Sequence, residues 1–170
     1  MPRLKINPSL IFFYLLAAVF ISFQGSANAD AKEARPNILF IFADDWGWKD
    51  LGCHGHPYVK TPNIDRLAHE GTDFHRFSVA SGVCSPSRTA IMTGQFPARY
   101  NINGHFAWVP SNAKRNMPDW LDPTAPLLSR FLKSGGYRTA HFGKWHLANN
   151  MIPDSPSPAK YGFDVYGAFN

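Results

Sequence analysis

Apolar and polar positions along the chain predict strands and helices in alternation. The run from Asn37 to Ala43 is apolar without alternation, which is typical of a central parallel strand buried on both faces. Two later segments each begin with an N-cap residue followed by proline, namely Thr61-Pro62 and Ser85-Pro86. Each pair predicts the start of a helix. Gly71 and Gly94 are predicted to end these helices.

Further segments complete the pattern. Thr72–Ala80 is a candidate short strand, Thr124–Ser134 is predicted to be a helix that ends at Gly135-Gly136, and Tyr137–Phe142 is predicted to be a strand. Met151–Pro158 is proline-rich and is predicted to be irregular. The alternation predicts an α/β fold with a mostly parallel sheet flanked by helices. The side chains expected to face inward from the helices are Ile64, Leu67, Ala68, Leu127, Leu128, Phe131 and Leu132.

The first 29 residues have the pattern of a secretory signal peptide. Arg3 and Lys5 form a positive start, Leu10–Phe23 is an uncharged apolar run, and Ala27-Asn28-Ala29 matches a cleavage site. The alternative is a membrane anchor, but this run is shorter than the ~20 residues that a span requires. We therefore expect cleavage and an exported protein, periplasmic or secreted, without a stable membrane anchor.

Composition and charge exclude several classes to which the protein could belong. The 170 residues are 45% apolar and 17% charged, which excludes a disordered chain. The net charge of +5 includes Arg3 and Lys5 of the predicted signal peptide, so we expect no nucleic-acid partner. Two cysteines cannot build a disulfide-based miniprotein. Residues 30–170 have the size of one domain.

Two adjacent carboxylates, Asp44 and Asp45, follow the predicted first strand. Ligand sites of open α/β sheets lie beyond the carboxyl ends of the strands. Neighbouring carboxylates repel each other and resist desolvation, so they favour a cation nearby, and oxygen ligands suit calcium or magnesium. Taken alone, such a pair is more often a solvated turn.

The segment Cys84–Gly94 carries the strongest chemical signal. Cys84 precedes a predicted helix start, where unpaired N–H groups and the helix dipole favour an anion, and Arg88 lies one turn further on. A nucleophile beside such a group of donors suits attack on a sulfate or phosphate ester. The residues alone leave two alternatives open, a disulfide between Cys84 and Cys53 or a buried core thiol.

Several motifs together resemble the sulfatase family. Cys84–Gly94 matches the family's C-x-P-x-R motif with its helix ending in T-G, and Gly143–Leu147 matches G-K-W-H-L. Asp44-Asp45 lies between a P-N-I-hydrophobic strand and a W-G-x-x-D-L-G segment. Thr61–Asp65 matches T-P-N-[IL]-D, and Tyr161–Asp164 contains G-F-D. The resemblance covers nearly all of the chain after the leader and points to the arylsulfatase A and N-acetylgalactosamine-6-sulfatase branch.

This resemblance implies an alkaline-phosphatase-like fold and hydrolysis of sulfate esters. In the family a maturation enzyme oxidises the motif cysteine, here Cys84, to Cα-formylglycine. One hydroxyl of the hydrated aldehyde attacks sulfur and displaces the alcohol, and the second hydroxyl permits release of sulfate. Conversion of Cys84 would exclude a disulfide with Cys53. The implied substrate is a sulfated small molecule or a sulfated polysaccharide.

The resemblance also implies roles for the other site residues. Asp44 and Asp45 would bind calcium, in preference to magnesium, together with the modified cysteine. Arg88 and Lys144 would stabilise the formylglycine hydrate and the charge of the sulfate. His146 would hydrogen-bond a formylglycine hydroxyl and assist proton transfer.

Further expectations accompany this interpretation. The family's later metal and site residues have no counterpart before Asn170, so residues 30–170 are expected to be the N-terminal portion of a sulfatase catalytic domain. Such a portion is expected to expose apolar surface and to have doubtful activity by itself. The alternatives are a phosphate or phosphonate ester hydrolase of the same superfamily and a non-catalytic exported binding module. The loop after the motif helix offers residues for a sugar pocket or a solvated surface, namely Arg99, Tyr100, His105 and Trp108.

Overall fold

The structure, a computed structural model, describes residues 35–169. The predicted signal peptide therefore lies outside the described residues. The chain divides into two units after Ile41, and the described part of the first unit, residues 35–41, has neither helix nor strand. The helices and strands described below all belong to the second unit. None of the described helices has the length and apolar character needed to cross a membrane.

In the described residues the second unit contains α-helices and a parallel pair of strands. The helices are α1 (Pro62–Glu70), α2 (Cys84–Thr93), α3 (Val109–Lys114) and α4 (Leu128–Ser134). The strands β1 (Ala140–Lys144) and β2 (Val165–Phe169) pair with Ala140 opposite Val165 and Lys144 opposite Phe169. Short 3-10 helices cover Gly52–His54, Pro97–Tyr100 and Pro158–Tyr161. Helices beside a parallel sheet agree with the predicted α/β class.

Two predicted strands are wrong. Residues 37–43 and 72–80 form no strand in the structure, and the sheet of the described residues consists of β1 and β2. An apolar strand buried on both faces needs neighbours at its edges and cover on both faces. In residues 38–41 the apolar side chains are exposed, as Leu39 shows at 85%, and Phe42 is only half-buried. The second segment contains a turn, in which the Phe77 N–H bonds to the Phe74 carbonyl oxygen at 3.2 Å.

Helices α1 and α2 occupy their predicted segments, but neither has the predicted side-chain cap. Thr61 precedes α1, and its hydroxyl accepts a hydrogen bond from the Gly52 N–H at 2.8 Å. Helix α2 begins at Cys84, so Ser85 lies inside its first turn. The Ser85 hydroxyl accepts a hydrogen bond from the Phe106 N–H at 3.0 Å. Tertiary contacts therefore use the hydroxyl groups that the capping rule assigns to the helices.

The elements after α3 are shifted from their predicted bounds. Helix α4 begins at Leu128 rather than Thr124, and β1 begins at Ala140 rather than Tyr137. Strand β2 is not predicted by the sequence pattern, since Gly167 interrupts its short apolar run. Residues 151–157 are irregular, as their prolines predict.

Loop residues, rather than the predicted helix faces, form most of the core. Leu127 is fully buried, but Leu67 and Phe131 are about two-thirds exposed, at 64% and 65%, so the predicted inward faces are only partly correct. Tyr161 is fully buried; its hydroxyl donates to the Leu121 carbonyl oxygen at 2.7 Å, and its ring packs edge-on against Trp145. The buried apolar cluster contains Ile102, Phe106, Met117, Leu121, Ala125, Leu127, Trp145, Leu147, Ala148 and Tyr161.

We predict that Tyr161→Phe lowers the free energy of unfolding by about 1–3 kcal/mol, because the buried Leu121 carbonyl oxygen loses its donor. Urea unfolding followed by circular dichroism measures the change. Tyr58 is 85% exposed, so Tyr58→Phe is the matched control and should change stability by less than about 0.5 kcal/mol. Equal effects of the two substitutions would contradict the central role of Tyr161 in the core.

Candidate active site

A single carboxylate joins three distant parts of the second unit. Asp44 Oδ1 accepts a hydrogen bond from Arg88 Nη2 at 2.9 Å, and Asp44 Oδ2 accepts one from Lys144 Nζ at 2.5 Å. Arg88 lies on α2, and Lys144 is the last residue of β1. The segment after Ala43, helix α2 and strand β1 therefore converge on Asp44.

Arg88 is held tightly at this point. The residue is only 7% exposed, and its Nη1 donates to the Lys144 carbonyl oxygen at 2.6 Å. The guanidinium carbon lies 5.2 Å from the centroid of the Phe42 ring, within the range of a cation–π contact. The guanidinium thus contacts all three converging segments, and sequence reasoning did not identify Phe42 as a site residue.

Cys84 adds a potential nucleophile to the group. It is the first residue of α2 and is half-buried, and Lys144 Nζ lies 3.4 Å from its Sγ. Ligand atoms of Asp44, Asp45 and Cys84 lie within 4.8 Å of one another, which identifies a candidate metal site. Cys53 and Cys84 are both free thiols, so the disulfide alternative is not formed.

His146 lies at the turn after β1 and contacts the loop before α3. Its Nε2 hydrogen-bonds the Phe106 carbonyl oxygen at 3.1 Å. Burial lowers the pKa of His146, and the nearby charges of Lys144, His105 and Arg88 lower this pKa further. The imidazole is therefore neutral near pH 7.

The backbone is strained at two of the site residues. Asp45 has φ of 57° and His146 has φ of 47°, which places both in the left-handed region that residues other than glycine seldom adopt. Such strain persists only where the surrounding structure enforces it, and it is concentrated at functional sites. Asp45 directly follows Asp44, and His146 lies two residues after Lys144, so both strained residues adjoin the ion pair along the chain.

The charges in the site stabilise one another. The hydrogen bond from Lys144 is the largest cause that lowers the pKa of Asp44, and Arg88 adds to the lowering. The same hydrogen bond raises the pKa of Lys144. Asp44 is thus ionised and Lys144 protonated across the physiological pH range.

The structure brings together most of the residues that sequence reasoning selected. Asp44, Asp45, Cys84, Arg88 and Lys144 form one cluster through the contacts given above. His146 lies close enough to the cluster for the charges of Lys144 and Arg88 to lower the pKa of its ring. The sequence singled out the loop after the motif helix for its side chains, but not the Phe106 carbonyl group that holds His146, because a backbone contact leaves no signal in residue types.

The chain is similar to known sulfatases. The model of the sulfatase family matches residues 36–170. N-acetylgalactosamine-6-sulfatase of Homo sapiens is 42% identical over 144 residues, which are 82% of this chain and 26% of that protein. Arylsulfatase H of Homo sapiens is 41% identical over 144 residues, 79% of this chain and 25% of that protein. The chain spans about a quarter of the length of these curated relatives.

Solved structures give the same result. A Bacteroides thetaiotaomicron protein of glycosaminoglycan metabolism has a TM-score of 0.67 at 34% identity, over 79% of this chain and 28% of that one. A protein solved with its substrate D-glucosamine-2-N,6-O-disulfate has a TM-score of 0.59 at 31% identity, over 78% and 22%. The phosphonate monoester hydrolase of Agrobacterium radiobacter has a TM-score of 0.59 at 27% identity, over 80% and 26%. These neighbours confirm the predicted α/β, alkaline-phosphatase-like fold class.

We predict that Lys144→Met raises the pKa of Asp44 toward its ordinary value of 3.8, because the ammonium is the largest cause of the lowering. A carbon-detected NMR titration of the side-chain carboxyl measures this pKa. Lys49 is exposed, so Lys49→Met serves as the control and should leave the titration unchanged.

The same substitution changes how stability depends on pH. Ionised Asp44 stabilises the folded protein above pH 3.8, and this contribution is lost as the pH falls through its lowered pKa in the folded state. Lys144→Met should therefore lose less stability over that acid interval. An unchanged Asp44 titration in Lys144→Met would show that the contact with Lys144 does not govern Asp44.

Proposed function

The chain belongs to the sulfatase family, and we propose that the protein hydrolyses sulfate esters at the site around Asp44. The observation that carries the proposal is the convergence of Arg88 and Lys144 on the carboxylate beside Cys84. This arrangement places the Lys144 ammonium next to the motif cysteine at a helix N-terminus and holds the Arg88 guanidinium on the same carboxylate. Fixed positive charge and N–H donors favour an anion whose charge is redistributed during ester cleavage.

We propose that Asp44 and Asp45 hold a divalent cation there, with calcium as the expected ion. The two carboxylates offset the charges of Arg88 and Lys144, so a bound dication would leave the site with net positive charge. Oxygen ligands suit a hard cation, whereas the thiol of unmodified Cys84 does not. When bound, the ion would supply positive charge that polarises the sulfate oxygens.

The donor set also supports modification of Cys84. We propose that a maturation enzyme converts Cys84 to formylglycine, since an oxygen-bearing residue 84 would complete an all-oxygen group with Asp44 and Asp45. The hydrated aldehyde would supply one hydroxyl for attack on sulfur and a second for release of sulfate. The position of Cys84 as the first residue of α2 directs this chemistry to the helix N-terminus.

His146 is suited to handle a proton at this site. Its Nε2 faces the Phe106 carbonyl oxygen, so the neutral ring carries its proton on Nε2 and its lone pair on Nδ1. A neutral imidazole accepts a proton near pH 7, whereas an imidazolium does not. We assign His146 the role of assisting proton transfer to or from the nucleophile of residue 84.

The proposed substrates are sulfated carbohydrates. One solved neighbour is bound to a disulfated glucosamine, and another belongs to glycosaminoglycan metabolism, which supports this class for the present chain. A periplasmic or secreted location suits such substrates and follows from the predicted signal peptide.

We predict that Cys84→Ala lowers hydrolysis of 4-nitrophenyl sulfate by at least ~1,000-fold relative to protein matured in its native host, because the substitution removes the nucleophile. Cys53→Ala is the matched control, since Cys53 is exposed and free, and it should retain activity. Removal of divalent metal with a chelator should also abolish turnover, and calcium should restore it.

Peptide mass spectrometry across Cys84 tests the modification directly. Loss of the thiol with gain of an aldehyde supports the proposal, and an unmodified cysteine in the native host contradicts it. Turnover of 4-nitrophenyl phenylphosphonate in preference to 4-nitrophenyl sulfate would instead favour a phosphonate hydrolase. An unmodified Cys84 in the native host, together with inactivity on both substrates, would favour a non-catalytic binding module.

A further inference from the structure

The loop of residues 104–108 is fixed beside the site by contacts from several parts of the chain. The Phe106 N–H donates to Ser85 Oγ at 3.0 Å, and the Phe106 carbonyl oxygen lies 3.1 Å from His146 Nε2. The Phe106 side chain is only 2% exposed. Phe106 thus connects the first turn of α2 with the turn after β1.

The residue on either side of Phe106 is fixed as well. Ala107 exchanges two hydrogen bonds with the Asn112 side chain, at 2.9 and 3.0 Å. The His105 carbonyl oxygen accepts a hydrogen bond from Arg115 Nη2 at 2.9 Å. A Cβ atom at Gly104 would lie 2.7 Å from Arg115 Nη1, so a larger residue at this position would displace the guanidinium from its place beside the loop.

This loop carries an exposed imidazole at the edge of the site. The His105 ring centroid lies 6.2 Å from that of His146, and the His105 residue is exposed to solvent. The charge of His105 is one of the causes that lower the pKa of His146, as expected for two neighbouring rings. An exposed side chain on an immobilised backbone beside a site is pre-organised to contact a ligand, because binding orders little further structure.

We propose that His105 contacts the alcohol part of a sulfate ester and helps to select hydroxyl-rich, carbohydrate sulfates. Arg88 and Lys144 supply charge for the sulfate group, whereas the ring nitrogens of His105 donate to or accept from hydroxyl groups. His105 thereby extends the site from the anion to the organic group. This inference rests on the proposed function, since it needs the sulfate to bind beside Cys84.

Isothermal titration calorimetry on the full chain tests the contact. A Cys84→Ala background prevents turnover, and the probes are galactose 6-sulfate and inorganic sulfate. We expect His105→Ala to weaken binding of galactose 6-sulfate by about fivefold to tenfold, the effect of one lost hydrogen bond. Binding of inorganic sulfate should change by less than about twofold, since His105 does not contact the sulfate group in this proposal.

Two further variants separate contact from structure. His105→Gln keeps a donor and an acceptor, so it should restore part of the affinity for galactose 6-sulfate. His69 is an exposed histidine of α1, so His69→Ala is the matched control and should leave both affinities unchanged. Equal weakening of both probes by His105→Ala, or no weakening of either, would overturn the assignment of His105.

The calorimetry also distinguishes this inference from the proposed function. Suppose that the Cys84→Ala protein binds both probes, but matured wild-type protein does not hydrolyse sulfate esters. The proposed activity is then contradicted, and the effect of His105→Ala on the two affinities still decides the role of His105. If neither probe binds to the Cys84→Ala protein, the assignment of His105 is overturned. Hydrolysis of 4-nitrophenyl sulfate by the wild type then decides the proposed activity independently.

Discussion

The site depends on one ion pair, in which a carboxylate compensates the charge of a buried guanidinium. Arg88 is almost completely buried, and Asp44 is the carboxylate that pairs with it. Burying a charge without a partner raises the free energy of the folded state. The Arg88–Asp44 ion pair therefore constrains α2 and the segment after Ala43 to meet. Because Lys144 binds the second oxygen of Asp44, the end of β1 is drawn to the same point. One carboxylate therefore fixes the relative positions of the cations and of Cys84.

A second set of contacts, through backbone groups, holds the histidine of the site. Phe106 joins Ser85 and His146 through its N–H and carbonyl groups, while its side chain is buried in the core. The core and the site consequently share a residue. This coupling explains how an irregular loop segment can hold a site side chain in place, since its polar backbone groups are satisfied by specific partners.

The elements whose sequence signals are local were predicted well. Helices α1 and α2 lie in their predicted segments, and β1 overlaps its predicted segment. The run from Asn37 to Ala43 forms no strand because strand formation requires a partner, which no property of the run itself provides. Leu67 and Phe131 have helical spacing but lie on exposed faces, since spacing defines a face without providing what covers it.

The sequence by itself determined which chemical groups the candidate site contains. The motif around Cys84 and Arg88, the Asp44-Asp45 pair and the segment with Lys144 and His146 are recognisable from residue types and spacing. Only the tertiary structure decided how these groups pair, because contacts between residues 44, 88 and 144 depend on chain folding over distances that no local pattern records. It also decided that Ser85 binds the loop of Phe106 instead of capping α2, since a hydroxyl group bonds to whichever partner the fold brings to it.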